Sequence, residues 1–104
     1  MTVPMEPTFD ATIHAPQRLQ ICALLARGGE VEFATLRDAL DVSDATLSKH
    51  LRVLTDAGYV VLRRVQRDRG HARTWAGLTR DGRRALDAHF AYLSALAPDA
   101  GDLG

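Results

Sequence analysis

The side chains best suited to chemistry in this sequence are hydroxyls and cations at short spacing. Two groups share this property: Ser43, Thr46, Ser48, Lys49 and Arg52, and then Arg67, Arg69 and Arg73. Hydroxyls and cations donate hydrogen bonds, and lysine and arginine neutralise phosphate, so both groups suit a polyanion. The sequence has no nucleophile–base arrangement, glycine-rich phosphate loop or cluster of metal ligands, so we predict that the chain is not an enzyme.

The formal net charge of zero hides an uneven distribution. Residues 49–84 contain ten of the thirteen cations and three of the thirteen acids, so this segment carries +7 and the rest of the chain carries −7. Such asymmetry indicates one surface that faces a polyanion. Composition alone is equally compatible with an ordinary solvated face.

A helix over residues 43–57 would separate an apolar side from a polar one. At about 100° per residue, Leu47, Leu51 and Leu54 share one narrow arc. Small, hydroxylated and charged residues occupy or flank the opposite arc: Ala45, Thr46, Ser48, Lys49, Arg52 and Asp56. Ser43 is suited to cap the first turn. A helix is about 10–12 Å across, so this face can enter the B-DNA major groove, which is about 12 Å wide.

The elements around this helix predict a mainly α domain with a small β-hairpin. Helices are expected at about 10–15, 16–28, 33–40, 43–57 and 79–97, and strands at 30–32, 59–66 and 74–78. The last two strands bracket the arginine loop at residues 67–73. We expect flexible tails at 1–8 and 98–104, which leaves one domain over residues 9–97.

The single cysteine, Cys22, lies in an apolar run and excludes an intrachain disulfide, which fits a reducing compartment. No run of residues is long enough to cross a bilayer, and the first residues lack the pattern of a secretory signal. These observations predict a cytoplasmic protein with no membrane partner, and contact of helix 43–57 with DNA would make it nucleoid-associated.

Three segments of the sequence resemble a known family. They are IHAPQRLQI from Ile13, LSKHLRVLTDAGYV from Leu47 and RTWAGLTRDGRRAL from Arg73. In combination they are similar to the winged helix-turn-helix transcriptional regulators, in particular the small MarR/ArsR-like bacterial group. The resemblance covers roughly residues 9–93.

The resemblance implies a homodimeric repressor that binds a palindromic operator in double-stranded DNA. Helix 43–57 would then occupy the major groove, and wing 67–73 would contact the flanking backbone or minor groove. Four residues match the recognition-helix readers and two match the wing: Thr46, Ser48, Lys49, Arg52, Arg67 and Arg69. Dimers of this family commonly join through their terminal helices. Here the apolar stripe before Gly28 and the stripe of Leu86, Phe90 and Leu93 are available.

Histidines and the cysteine do not form a recognisable metal site. Cys22 has no neighbouring thiol, and Asp87 and His89 lack further ligands, so we predict no metal and no cofactor. We expect His89 on the helix surface. His50 is expected at a boundary, packing on helix 33–40 or holding a phosphate.

Two questions stay open from the sequence. A small-molecule effector is possible, and its site would lie between subunits or between the terminal helices and the DNA-reading part. The alternative function is a winged-helix module that binds protein without DNA, which the neutral total charge favours. Trp75 is expected to cover the wing sheet rather than to fill the seam between subunits.

Overall fold

The computed structural model describes residues 6–66, 70 and 72–97, in which helices pack around a small sheet. In chain order the elements are α1 (Ala11–His14), α2 (Pro16–Gly28), β1 (Val31–Glu32), α3 (Phe33–Leu40), α4 (Asp44–Asp56), β2 (Val60–Val65), β3 (Arg73–Leu78) and α5 (Arg80–Leu96). The predicted mainly helical architecture is confirmed. The predicted tail at 98–104, most of the tail at 1–8, and the wing residues Arg67 and Arg69 lie outside the described residues.

Local capping explains where three of the helices begin. The Asp10 carboxylate accepts a hydrogen bond from the Ile13 amide at the start of α1. Ser43 and Thr79 act in the same way at α4 and α5, where each hydroxyl satisfies a backbone N–H of the first turn. Between α3 and α4, Asp41 adopts a left-handed conformation (φ 55°) that closes the predicted turn.

The sheet is antiparallel, with the strand order β1-β3-β2. The predicted hairpin therefore gains a third strand, because the short β1 pairs with the other side of β3 and Val31 lies opposite Ala76. On β2, Leu62 also lies opposite Ala76. Side chains alternate between the two faces of a strand, so Leu62 and Arg64 share the inner face with the buried Val60.

The core lies between the helices and the inner face of the sheet. Its buried members are mostly aliphatic: Ile13, Ile21, Cys22, Leu25, Leu36, Leu47, Leu51, Leu54, Val60, Ala76 and Leu86. All five helices and two of the strands contribute to this list, so the core fixes the helix pair α3–α4 relative to strands β2 and β3. None of the described helices is long and apolar enough to cross a membrane.

Two histidines differ from the sequence-based predictions. The surface position predicted for His89 is wrong, because its side chain is completely buried beneath the N-terminal segment. Its ring accepts a hydrogen bond from the Asp10 amide at 3.0 Å. His50 is half-buried as predicted, but its hydrogen-bond partners, Gln17 and Arg18, belong to α2 rather than to α3.

Gly82 provides a test of how closely α5 packs on the sheet. A Cβ at this position would overlap the backbone oxygen of Tyr59 and lie 2.9 Å from a Leu78 methyl group. Because backbone cannot move aside easily, we expect Gly82→Ala to lower the free energy of unfolding by about 2 kcal/mol, as in other overpacked cores. Gly28→Ala is the matched control, since nothing lies within 4 Å of its Cβ position. Urea denaturation that shows equal stability for the two variants would contradict this packing.

Candidate nucleic-acid interface

The orientation of α4 is set by its three leucines and by its first-turn cap. Leu47, Leu51 and Leu54 are at most 2% exposed. The Ser43 hydroxyl accepts a hydrogen bond from the Thr46 amide at 3.1 Å and donates one to the Thr46 hydroxyl at 3.0 Å. The helix is therefore held at both its buried side and its N-terminal end.

The side of α4 opposite the leucines is open to solvent in the described structure. Five residues there are exposed: Ala45, Ser48, Lys49, Arg52 and Asp56. Thr46 is half-buried at the edge of this surface. We call these six residues the outer face of α4. It offers a hydroxyl, an ammonium and a guanidinium close together, all of which can donate hydrogen bonds to phosphate or to base edges.

Asp44 is the acidic residue whose role the sequence leaves open. Its carboxylate accepts a hydrogen bond from Arg37 at 3.1 Å, and Arg37 also contacts Asp38 at 3.1 Å. These hydrogen bonds raise the pKa of Arg37 above its ordinary value, Asp44 being the largest cause. The pair ties α3 to the start of α4 and partly neutralises a negative charge beside the outer face.

The two arginines in the middle of β2 lie on opposite faces of the sheet, because successive side chains of a strand alternate. Arg63 is on the side away from the core, where its guanidinium binds both oxygens of Glu30 at 2.7–3.2 Å. The hydrogen bond from Arg63 is the main reason why the pKa of Glu30 is lowered. Arg64 is exposed on the inner face, next along from Leu62 and therefore on the side of α4.

Arg73, the remaining described member of the predicted wing set, lies at the start of β3. It shares the outward side of the sheet with Arg63 and makes a long ion pair of 3.5 Å with Glu32. Both Arg73 and Arg63 are thus partnered by acids of the β1 region. Sequence reasoning did not assign these partners, because the pairing of β1 with β3 joins residues more than forty positions apart.

A surface cleft of about 300 Å³ separates α4 from strands β2 and β3. Ser48 and Arg52 line one wall, and Leu62 and Thr74 line the other. The cleft therefore combines a cationic and hydroxylated wall with an aliphatic one. The sequence predicts that only one of Arg63 and Arg64 can face DNA, and alternation with the buried Val60 places Arg64 on the side of α4.

The described residues contain no cluster of three or more histidine, cysteine or acidic side chains that could hold a metal ion. Cys22 is buried, and its burial, with a contribution from Asp10, raises the pKa of the thiol to about 11. The thiol is therefore protonated at neutral pH and is a poor metal ligand or nucleophile.

The order of the elements decides the family. Helix α3 is followed by a tight turn, by α4 with its open polar face, and by the antiparallel strands β2 and β3. The chain belongs to the winged helix DNA-binding domain family. The family's sequence model matches residues 17–97, which include α2 except Pro16, α3 to α5 and the whole sheet. No curated protein matches the chain significantly.

Solved structures support the same fold. A transcriptional regulator homologue from Pyrococcus horikoshii OT3 is 28% identical, with a TM-score of 0.78 over 84% of this chain and 85% of that one. A MarR-family transcriptional regulator from Silicibacter pomeroyi is 27% identical, with a TM-score of 0.60 over 82% of this chain and 56% of that one.

The third structure contains nucleic acid. Bacillus subtilis PadR in complex with operator DNA is 21% identical, with a TM-score of 0.57 over 64% of this chain and 43% of that one. At this identity it shows the fold alone. Together these findings confirm the predicted winged helix-turn-helix architecture and the resemblance to MarR-like transcriptional regulators. The family is one of regulator DNA-binding domains and not an enzyme family.

Proposed function

We propose that this winged helix protein is a sequence-specific regulator of transcription that inserts α4 into the major groove of double-stranded DNA. The observation that carries the proposal is the exposure of Ser48, Lys49 and Arg52 on the side of α4 opposite its buried leucines. A helix whose polar, cationic side is open to solvent fits the width of the groove. The PadR structure, which contains operator DNA, has the same fold.

The residues of the outer face have different proposed roles. Lys49 and Arg52 reach phosphates or guanine, because their side chains are long and cationic. Ala45 permits close approach and contacts a thymine methyl, as does the methyl of Thr46, whose hydroxyl is engaged by Ser43. Ser43 contacts the backbone near the N-terminus of α4.

The proposed wing contacts are Arg67, Arg69 and Arg73 on the flanking backbone or minor groove. Arg64 joins them, because it is exposed on the side of the sheet that borders α4. Arg73 differs from Arg64, since it lies on the opposite face of the sheet and pairs with Glu32. It would exchange this weak pair for a phosphate when DNA is bound.

We also propose that the protein acts as a homodimer that represses transcription by occupying a palindromic operator. The apolar surface available for a second copy lies on α5, where Phe90 is 41% exposed, Leu96 is 66% exposed and Leu93 is half-buried. A chain of this length has a modest core, so burial of these side chains against a second copy would add useful stability. Pairing the terminal helices would present two copies of α4 to one duplex.

A small-molecule effector would bind between subunits or between α5 and the DNA-reading part. The second candidate function is a protein-binding module without DNA affinity, which the net charge of zero favours. The two functions differ in one measurable property. Only the DNA-binding regulator should bind DNA in a way that depends on the outer face of α4. We propose that the protein works in the cytoplasm, at the nucleoid.

The first test removes cations from the outer face. Lys49→Ala and Arg52→Ala should each weaken binding to an operator selected from random duplex DNA by about tenfold or more, since a good contact is worth about 1–3 kcal/mol. Each lost phosphate contact should also reduce the slope of log affinity against log salt by about one. The measurement is a salt series of fluorescence anisotropy titrations.

Arg27→Ala is the matched control, because Arg27 is an exposed cation at the end of α2, away from the outer face. It should leave the affinity and the salt dependence nearly unchanged. Equal losses for Arg27→Ala and Lys49→Ala would indicate general electrostatic attraction and contradict the assignment of α4 as the reading helix.

The second test concerns the dimer. Phe90→Glu should shift the protein toward monomer in sedimentation equilibrium, because it places a charge in the apolar surface of α5. Arg84→Glu introduces the same side chain at an exposed position on another side of α5 and should leave the association constant nearly unchanged. A Phe90→Glu variant that folds and still dimerises like the wild type would rule out this surface.

A further inference from the structure

Two histidine rings connect the N-terminal segment, here residues 8–14, to α5. His89 of α5 is completely buried, and its Nδ1 accepts a hydrogen bond from the Asp10 amide at 3.0 Å. Its other ring nitrogen, Nε2, lies 3.1 Å from Nδ1 of His14. One residue before His89, the Ala88 carbonyl accepts from the Thr8 amide at 3.0 Å. The segment is thus joined to α5 at three points.

The backbone amide of Asp10 fixes the protonation of both rings. An amide N–H can only donate, so Nδ1 of His89 must carry a lone pair and the proton of this neutral ring must be on Nε2. That Nε2–H then donates to His14, whose Nδ1 must also carry a lone pair. Every hydrogen bond runs in one direction, from Asp10 through His89 to His14. The arrangement therefore requires both rings to be neutral.

The same hydrogen bonds exclude a metal ion between the rings. A metal would need lone pairs on Nε2 of His89 and on Nδ1 of His14. The lone pair of His89 that remains in the neutral ring is already used by the Asp10 amide. The two rings are consequently suited to bind a proton and not a metal ion.

Among the described groups near His89, those of Asp10, Tyr59 and Cys22 do not offer a hydrogen-bond acceptor to the second N–H of a protonated ring. The Asp10 carboxylate accepts hydrogen bonds from the hydroxyl of Tyr59, just before β2, at 2.6 Å and from the Ile13 amide at 3.0 Å. The part of Asp10 that bonds to the His89 ring is its backbone amide. The bond to Asp10 is also the main reason why the pKa of Tyr59 is raised to about 12, so Tyr59 is neutral. Cys22 of α2, whose thiol pKa is raised by burial and in part by Asp10, is a buried protonated thiol.

An aromatic side chain packs against both rings, of which His89 is buried and His14 is exposed. The ring of Phe9 lies 4.9 Å from that of His14, 5.2 Å from that of His89 and 5.5 Å from that of Tyr92, measured between centroids. Burial, and next the proximity of His14, lower the pKa of His89 below its ordinary value of 6.5, although Asp10 acts in the opposite direction. Protonation of the buried ring would break its bond to Asp10, because two N–H groups would then face each other.

We propose that His14 and His89 form a proton-sensitive latch, which holds residues 8–14 against α5 while both rings are neutral and releases them when the pair takes up a proton. The latch depends only on these contacts and not on DNA binding. It adds to the proposed regulator a means of loosening the N-terminal segment beside the apolar surface of α5.

The sign of the pH effect follows from the lowered pKa of His89. Below pH 6.5 the unfolded chain takes up this proton more readily than the folded one, so stability rises with pH in this range. The contribution is complete above about pH 6.5 and is lost as the pH falls from there toward the lowered pKa of the folded state.

The test follows the protonation of the rings and the protection of one amide. A long-range ¹H–¹⁵N spectrum of the wild type near pH 8 should show the proton of His89 on Nε2 and none on Nδ1. Hydrogen exchange should then show that the protection factor of the Asp10 amide falls about tenfold or more between pH 7.5 and pH 5, in proportion to proton uptake.

Two variants distinguish the latch from a general acid effect. His89→Asn keeps an oxygen acceptor for the Asp10 amide but does not titrate, so its Asp10 protection should stay constant over the same range. His50→Gln removes another histidine whose pKa is lowered by burial, and it should keep the wild-type loss of protection. A proton on Nδ1 of His89, or wild-type protection that is independent of pH, would overturn the proposal even if His89→Asn fails to fold. Loss of the pH response in His50→Gln would overturn it as well.

Discussion

The burial of Leu47, Leu51 and Leu54 determines which side of α4 meets solvent. Successive residues of a helix are about 100° apart, so a shift of one position would turn Lys49 and Arg52 toward the core. The Ser43 cap and the Arg37–Asp44 pair hold the N-terminal end of the same helix. The exposure of the outer face therefore depends on the apolar packing of the leucines. The polar residues are exposed because that packing turns them toward solvent.

The location of the unpaired cations explains how a chain with no net charge can present a basic surface. Arg37, Arg63 and Arg73 contact acids of the protein itself. Within the described residues, Lys49, Arg52 and Arg64 make no ion pair and are exposed on or beside the cleft between α4 and the wing. The number of cations does not decide which of them can bind phosphate. The positions of their acidic partners do, because only the unpaired cations are available.

Features that depend on neighbouring residues were predictable from the sequence, and features that depend on distant ones were not. Caps such as Ser43 and Thr79 act within one turn, which is why the predicted helix boundaries agree closely with the structure. The outer face of α4 follows from the leucine spacing in the same way. The pairing of β1 with β3 and the burial of His89 arise from segments 40 to 80 positions apart, and the local pattern around His89 indicates an exposed residue.

The most direct measurement for α4 as a DNA-reading helix is selection of bound sequences from a random pool of duplex DNA. A dimer that reads with two copies of α4 should enrich an inverted repeat whose half-sites are centred about 10–10.5 base pairs apart, or a multiple of that spacing. The Lys49→Ala/Arg52→Ala double variant should enrich nothing. A wild-type protein that selects no sequence, or a double variant that selects the same sequence with the same strength, would contradict a reading role for α4.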